Sequence, residues 1–169
     1  MNENIISREE LSFIMKFIDI NQDLFKNNGT LPNRKYLNLP KEPDTPKLFF
    51  DIKERILDKE NIRNDYIDHS AYEDYVGYIT DGGKIHQHKD PTIDGYDHVR
   101  FNLFLSVPRK GGFPVYDGVS IPVKIGDYVR CNSSKDFHEC EVVEGDVPRI
   151  VISYGIYLKR KKDRFMSYQ

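Results

Sequence analysis

His88 and Asp90 stand two residues apart in the segment GGKIHQHKDP, residues 82–91. On an extended strand, side chains two apart leave the same face, so an imidazole and a carboxylate can reach one point. A third donor has to come from elsewhere, and His138 in the strand-like run DFHECEVV is the natural candidate. Two imidazoles and one carboxylate gathered on one side of a metal leave its other positions free. That donor set suits iron(II) and oxygen chemistry, in which further ligands must reach the cation. A bare His-x-Asp arises often by chance, so its weight comes from its surroundings. Eleven residues after His138, Arg149 opens the apolar run Ile150-Val151-Ile152. Period-2 alternation places Arg149, Val151 and Ser153 on one strand face. A cation entering a buried strand requires an anionic partner. A dicarboxylic acid would supply one through bidentate guanidinium–carboxylate pairing. The competing reading, a surface arginine at a strand end, draws on Pro148 just before it.

These residues need a scaffold. Residues 7–26 read as an amphipathic helix, with Ser7 as N-cap, Glu9 and Glu10 in the first turn, and Leu11, Ile14, Met15, Ile18 and Leu24 at helical spacing. Asn27-Asn28-Gly29 would end it. Residues 29–46, with Pro32, Pro40, Pro43 and Pro46, read as an irregular connection, and a second helix is expected over about 46–59. From residue 72 the pattern changes to short strand-like runs: 72–80, 98–107, 113–125, 127–131, 138–143 and 149–158. Turn signals such as Asp81-Gly82-Gly83, Lys110-Gly111-Gly112 and Gly126-Asp127 separate them. Many short strands at even spacing imply a sandwich or jelly roll. The expected fold is therefore mainly β with flanking helices: a double-stranded β-helix packed against N-terminal helices. One domain spans 1–169, with helical support over 1–70, the catalytic core over 71–158 and a solvated basic tail over 159–169.

Composition narrows the function classes. Apolar residues at 38% and charged residues at 31% fit a globular chain, and a net charge of -2 gives no support to a broad phosphate-binding surface. No apolar run approaches the ~18 residues a membrane span needs. The opening MNENIISREEL does not read as a secretory leader, and Cys131 and Cys140 are too few for a disulfide scaffold. A cytoplasmic location with free thiols is the expectation, a disulfide between the two being the alternative.

Taken in order, the segments resemble the iron(II)/2-oxoglutarate-dependent dioxygenase superfamily, in particular its prolyl-hydroxylase-like branch. The resemblance covers about residues 72–158: a strand ending in Tyr78, Gly82-Gly83, His88-x-Asp90, then RFNLFLSVPRKGG, Gly126-Asp127 before a strand, and finally His138 and Arg149. It implies that His88, Asp90 and His138 hold Fe(II) and that Arg149 grips the distal carboxylate of 2-oxoglutarate. Tyr78, ten residues before His88, would donate to the same carboxylate, or else pack in the core. Some branches anchor the co-substrate from an earlier strand. Arg100, which shares a face with Asn102 opposite Phe101, Leu103 and Leu105, therefore competes with Arg149; otherwise it contacts substrate or pairs with an acidic neighbour. The sequence departs from the branch at Val151, where some members carry Ser; Ser153, four residues after Arg149, either takes that place or is only structural. The implied reaction couples O2-dependent decarboxylation of 2-oxoglutarate, to succinate and CO2, with hydroxylation of a C–H bond. The substrate would be a prolyl or other amino-acid residue of a peptide or protein, a free amino acid or another small molecule, with ascorbate as an optional reductant. Nucleic acid is disfavoured by the acidic balance and the lack of an Arg-rich signature.

Two other readings compete. In a cupin-like metalloprotein acting without 2-oxoglutarate, His86 and His88 would both ligate. A non-catalytic binding module would use the jelly roll alone. His86 otherwise reads as a residue flanking the site. Tyr96 is expected on the loop after Asp90, where it could stack on substrate. Cys140 would share the strand face of His138, as a pocket residue or a buried thiol. His98 and His69 carry no motif support.

Overall fold

The computed structural model describes residues 5–29, 31–39, 44–68 and 74–160. His69 and most of the basic tail, residues 161–169, lie outside them. In chain order the elements are α1 (Arg8–Ile20), a 3-10 turn (Gln22–Leu24), β1 (Lys26–Asn28), β2 (Leu31–Asn38), α2 (Leu48–Lys59), β3 (Tyr66–Ile67), β4 (Tyr75–Ile79), β5 (Ile85–His88) and β6 (Tyr96–Ser106). They continue as β7 (Lys110–Gly111), β8 (Pro114–Tyr116), β9 (Val119–Ser120), β10 (Tyr128–Cys131), β11 (His138–Cys140), β12 (Val143–Glu144) and β13 (Arg149–Lys159).

The major sheet runs β1-β2-β4-β13-β6-β10, with β3 added to one end of β13; the minor sheet runs β5-β11-β8-β9, and β12 pairs β7. All these pairings are antiparallel. The two long strands, β6 and β13, pair with each other at the centre and are buried along nearly their whole length. Alternation divides the major sheet into two faces. One carries Leu37, Val76, Phe101, Leu103, Ile152 and Tyr154, which join Ile14, Ile18, Phe49, Ile52 and Ile56 of the two helices in a single apolar cluster. The other carries the residues that could do chemistry.

Local chemistry explains the helices. Ser7 and Glu10 form a reciprocal capping box, each bonding the other's backbone N–H at 3.1 and 2.9 Å. Glu10 also pairs with Arg55 of α2 at 2.6 Å. The first helix is shorter than its periodicity predicts. Asn21 and Gln22 turn their side-chain amides onto the carbonyls of Phe17 and Ile18, which satisfies the helix end at Ile20 and leaves Leu24 42% exposed. Within the stretch expected to be an irregular connection, residues 31–38 form β2, which pairs with β1 and, in register, with β4.

A buried ion pair fastens α2 to the sheet. Lys53 Nζ lies 3.0 Å from both carboxylate oxygens of Asp74, and Asp74 accepts from Gly155 N–H at 3.0 Å. Truncating one partner strands a buried charge, at a cost of about 3–5 kcal/mol. Lys53→Met is therefore expected to lower the urea-unfolding free energy by that order. The double variant Lys53→Met/Asp74→Leu should recover most of the loss; equal destabilisation in both would contradict the pairing argument.

Gly111 is required by its surroundings. Its φ is +67°, and a Cβ there would sit 1.9 Å from the Val142 carbonyl oxygen. β7 pairs with β12, and the neighbouring strands β8 and β11 pair directly. Both cysteines are free and buried. Among the described residues, no helix is long and apolar enough to cross a membrane.

Candidate metal centre

His88 ends β5, His138 begins β11, and the two are direct cross-strand partners. Their rings stand 4.2 Å apart, centroid to centroid. Asp90 follows just beyond β5, fixed by its backbone N–H donating to Ser133 O at 2.7 Å. The three side chains converge, with ligand atoms all within 4.8 Å of one another.

The second nitrogen of each ring decides which atom faces the centre. His88 Nδ1 lies 2.7 Å from its neighbour His86 O, and His138 Nδ1 lies 3.2 Å from Asp136 O. A carbonyl accepts only, so Nδ1 carries the proton and the Nε2 lone pair is free in both rings. Those two Nε2 atoms face the same oxygen, Asp90 Oδ1, at 3.5 and 3.9 Å. The other oxygen, Oδ2, is held elsewhere: Arg100 Nε donates to it at 3.3 Å, and His98 Nδ1 lies 3.0 Å away. One oxygen is committed to the protein and one is left for a cation.

Electrostatics agrees. Burial pushes the Asp90 carboxyl up, but the His88 and His98 rings beside it and the charge of Arg100 outweigh it and hold the group far below the usual carboxylate range. His88 is shifted up, chiefly by its contact with Asp90, and His138 down, chiefly by burial. A nitrogen, nitrogen, oxygen set on one side of a point, with no fourth protein donor in the group, fits a divalent iron with open positions.

His98 is the residue the sequence did not flag. It is fully buried, stacked on Tyr157 at 4.9 Å, and wedged against the Asp90 oxygen that faces away from the two imidazoles. Outer partners of this kind orient a ligand, and their loss costs about 10- to 100-fold in metal affinity. His98→Ala is expected to weaken iron(II) binding by that factor in a chelator competition, with far-ultraviolet circular dichroism unchanged. Wild-type affinity would contradict the role.

A cavity of about 130 Å³ opens beside the triad between the two sheets. Arg149 is 5% exposed at its wall; its Nε donates to Gly112 O at 2.9 Å and its guanidinium lies 5.1 Å from the Phe104 ring centre. Among the described residues no carboxylate pairs with it. Arg100 is engaged: besides Asp90, it donates to Ser153 Oγ at 3.1 Å and packs over Tyr75 at 5.0 Å. Asn102 Nδ2 donates to the hydroxyl of Tyr116, at 3.4 Å, and burial pushes that phenol well above its ordinary range.

Several expectations change here. Tyr78 stands outside the cavity, because β4 presents Tyr75, Gly77 and Ile79 to it. Alternation turns Tyr78 to the helix side, 5.9 Å from Phe25. Tyr96 begins β6 instead of standing on a free loop. Cys131, not Cys140, is the thiol in the cavity wall; Cys140 packs with Ile79 and Val143. His86 is exposed and contributes only its carbonyl, so the paired-histidine arrangement of a cupin is not what these residues bring together. Arg34 and Tyr36 of β2, Tyr75 and Tyr116 also line the cavity and carried no motif.

No protein-family model matches the sequence, and no curated protein matches it significantly. By structure the chain is similar to a prolyl-4-hydroxylase from Pseudomonas putida, at 15% identity over 95% of this chain and 91% of that one, with a TM-score of 0.68. It is also similar to the viral collagen prolyl hydroxylase of Paramecium Bursaria Chlorella virus-1, solved as a 2-oxoglutarate complex, at 16% identity over 92% and 93% of the chains and a TM-score of 0.65. A third is HygX from Streptomyces hygroscopicus, seen with nickel, 2-oxoglutarate and hygromycin B: 13% identity, coverage of 98% and 83%, TM-score 0.66. At such identities the likeness establishes a common fold, the jelly roll of these oxygenases.

Proposed function

We propose that this chain is an Fe(II)- and 2-oxoglutarate-dependent oxygenase that hydroxylates a C–H bond, releasing succinate and CO2. The observation that carries the reading is the division of labour at Asp90. One carboxylate oxygen faces two proton-free imidazole nitrogens, while Arg100 and His98 hold the other. Bound iron would supply O2 activation and the oxidative decarboxylation of the diacid. The chain's own residues do the rest. His88, Asp90 and His138 would hold the cation, and three protein donors would leave it positions for further ligands. Arg149, a buried guanidinium with no carboxylate partner among the described residues, grips the far carboxylate of 2-oxoglutarate. Phe104 stacks on that guanidinium and restricts its rotation. Tyr116 and Asn102 offer polar groups in the same wall, and Ser153 holds Arg100 in place.

The structurally similar proteins widen the substrate range. They include prolyl hydroxylases, one of them bound to a peptide of hypoxia inducible factor, and HygX with hygromycin B. For this chain the substrate class is an amino-acid residue in a peptide or a free amino acid. The test is a screen of proline-containing peptides and free amino acids for substrate-dependent succinate under air, with iron(II) and 2-oxoglutarate supplied. Succinate that rises with one of these and is absent in His138→Ala supports the reading. Iron bound without any succinate, substrate or none, would favour a binding module.

A further inference from the structure

We propose that Arg34 recognises a carboxylate on the prime substrate, so that the enzyme acts on an anionic molecule; this rests on the oxygenase reading above. Arg34 lies on β2, a strand the sequence did not disclose. Its register makes it the partner of Ile79, whose other partner is Arg149. The two arginines therefore flank one residue in a single row across the sheet, on the cavity face.

They do not serve the same anion. The strand order β2-β4-β13-β6 puts Phe104 on the far side of Arg149 from Arg34. The Arg149 guanidinium is anchored there, over Phe104 and onto Gly112 O. Arg34 sits on the opposite flank, on β2 beyond β4, in the cavity wall it shares with His88. His88 is the most exposed of the three metal-facing residues, at 45% against 13% and 14% for His138 and Asp90. Arg34, half-buried where Arg149 is 5% exposed, stands toward the open side of the cavity, where a substrate approaches, and Arg149 at the enclosed side.

The charges in the wall leave Arg34 over. Asp90 is committed to the two imidazoles, Arg100 and His98, and Glu139, the other carboxylate lining the cavity, forms no ion pair with Arg34. Arg149 is satisfied by the co-substrate. Arg34 is half-buried, among the described residues no carboxylate pairs with it, and burial is the main influence on it, opposing its charge. A desolvated guanidinium at the entrance is relieved by an incoming carboxylate, which it can hold through two parallel hydrogen bonds.

Matched acid and amide probes test this on the intact protein loaded anaerobically with iron(II) and 2-oxoglutarate. The probes are L-proline against L-prolinamide and N-acetyl-L-glutamate against N-acetyl-L-glutamine. The readout is perturbation of the visible charge-transfer band as each probe reaches the metal. A charge-assisted contact predicts that the acid of at least one pair acts at about 10- to 150-fold lower concentration than its amide. Arg34→Gln should erase that preference while the half-saturation for 2-oxoglutarate stays at the wild-type value. Acid and amide acting alike in every pair, or both inert, would overturn the proposal. So would an Arg34→Gln protein that binds 2-oxoglutarate as poorly as an Arg149 variant, which would assign Arg34 to the co-substrate. Failure of the band to form in the wild type would instead remove the oxygenase reading beneath it.

Discussion

Asp90→Ala is expected to abolish specific iron(II) binding and, with it, any 2-oxoglutarate turnover. The residue supplies the oxygen of the donor set and is also the point where the outer supports converge. Losing an outer partner of a ligand costs about 10- to 100-fold in metal affinity. Losing the ligand itself must exceed that, so a fall of more than about 100-fold is expected. The substitution also strands Arg100, whose Nε donates to Asp90, although Ser153 still holds that guanidinium. Asp90→Asn is the sharper variant. It keeps the shape and one oxygen acceptor but removes the negative charge that attracts the cation. Equilibrium dialysis against iron(II), with circular dichroism to confirm the fold, reads both. Wild-type iron binding in either protein would remove the metal centre.

Arg149→Met separates a binding role from a structural one. On the proposed reading it removes the partner of a co-substrate carboxylate in a water-poor wall. The loss of a charge-assisted contact predicts a 2-oxoglutarate half-saturation higher by about 10- to 150-fold. Without the co-substrate, however, Arg149 is a buried cation with no carboxylate partner among the described residues, supported by the Gly112 carbonyl and the Phe104 ring. Replacing such a group by an apolar one of similar length relieves desolvation. The variant should therefore melt at or above the wild-type temperature while binding the diacid poorly. A variant that melts markedly lower and keeps its 2-oxoglutarate affinity would reduce Arg149 to a structural residue.

Much of the site was legible because strand periodicity is a strict rule. The face shared by Arg149, Val151 and Ser153, and the one shared by Arg100 and Asn102, both follow from alternation, and both line the cavity. Convergence of His88 and Asp90 with His138 could be anticipated from donor chemistry, although its geometry needed the β5–β11 pairing. Counting back ten residues to Tyr78 failed because the count crosses the turn at residues 80–84. A turn resets which face each residue takes, and register alone could show Tyr75, Gly77 and Ile79 as the inward set. β2 was hidden by its prolines and charges: Pro32 and Pro40 bracket Arg34 and Lys35, which read locally as loop. The strand exists because β4 pairs with it. With β2 unseen, Arg34 could not be placed. His98 was missed because its importance lies in a contact with Asp90 across the fold, and no local spacing encodes that.

Anaerobic titration of iron(II) into the protein with 2-oxoglutarate bears most directly on the central claim. A weak visible charge-transfer band should grow in, saturating at one iron per chain, and should be lost in His138→Ala. No band in the wild type, or the same band in that variant, would contradict it.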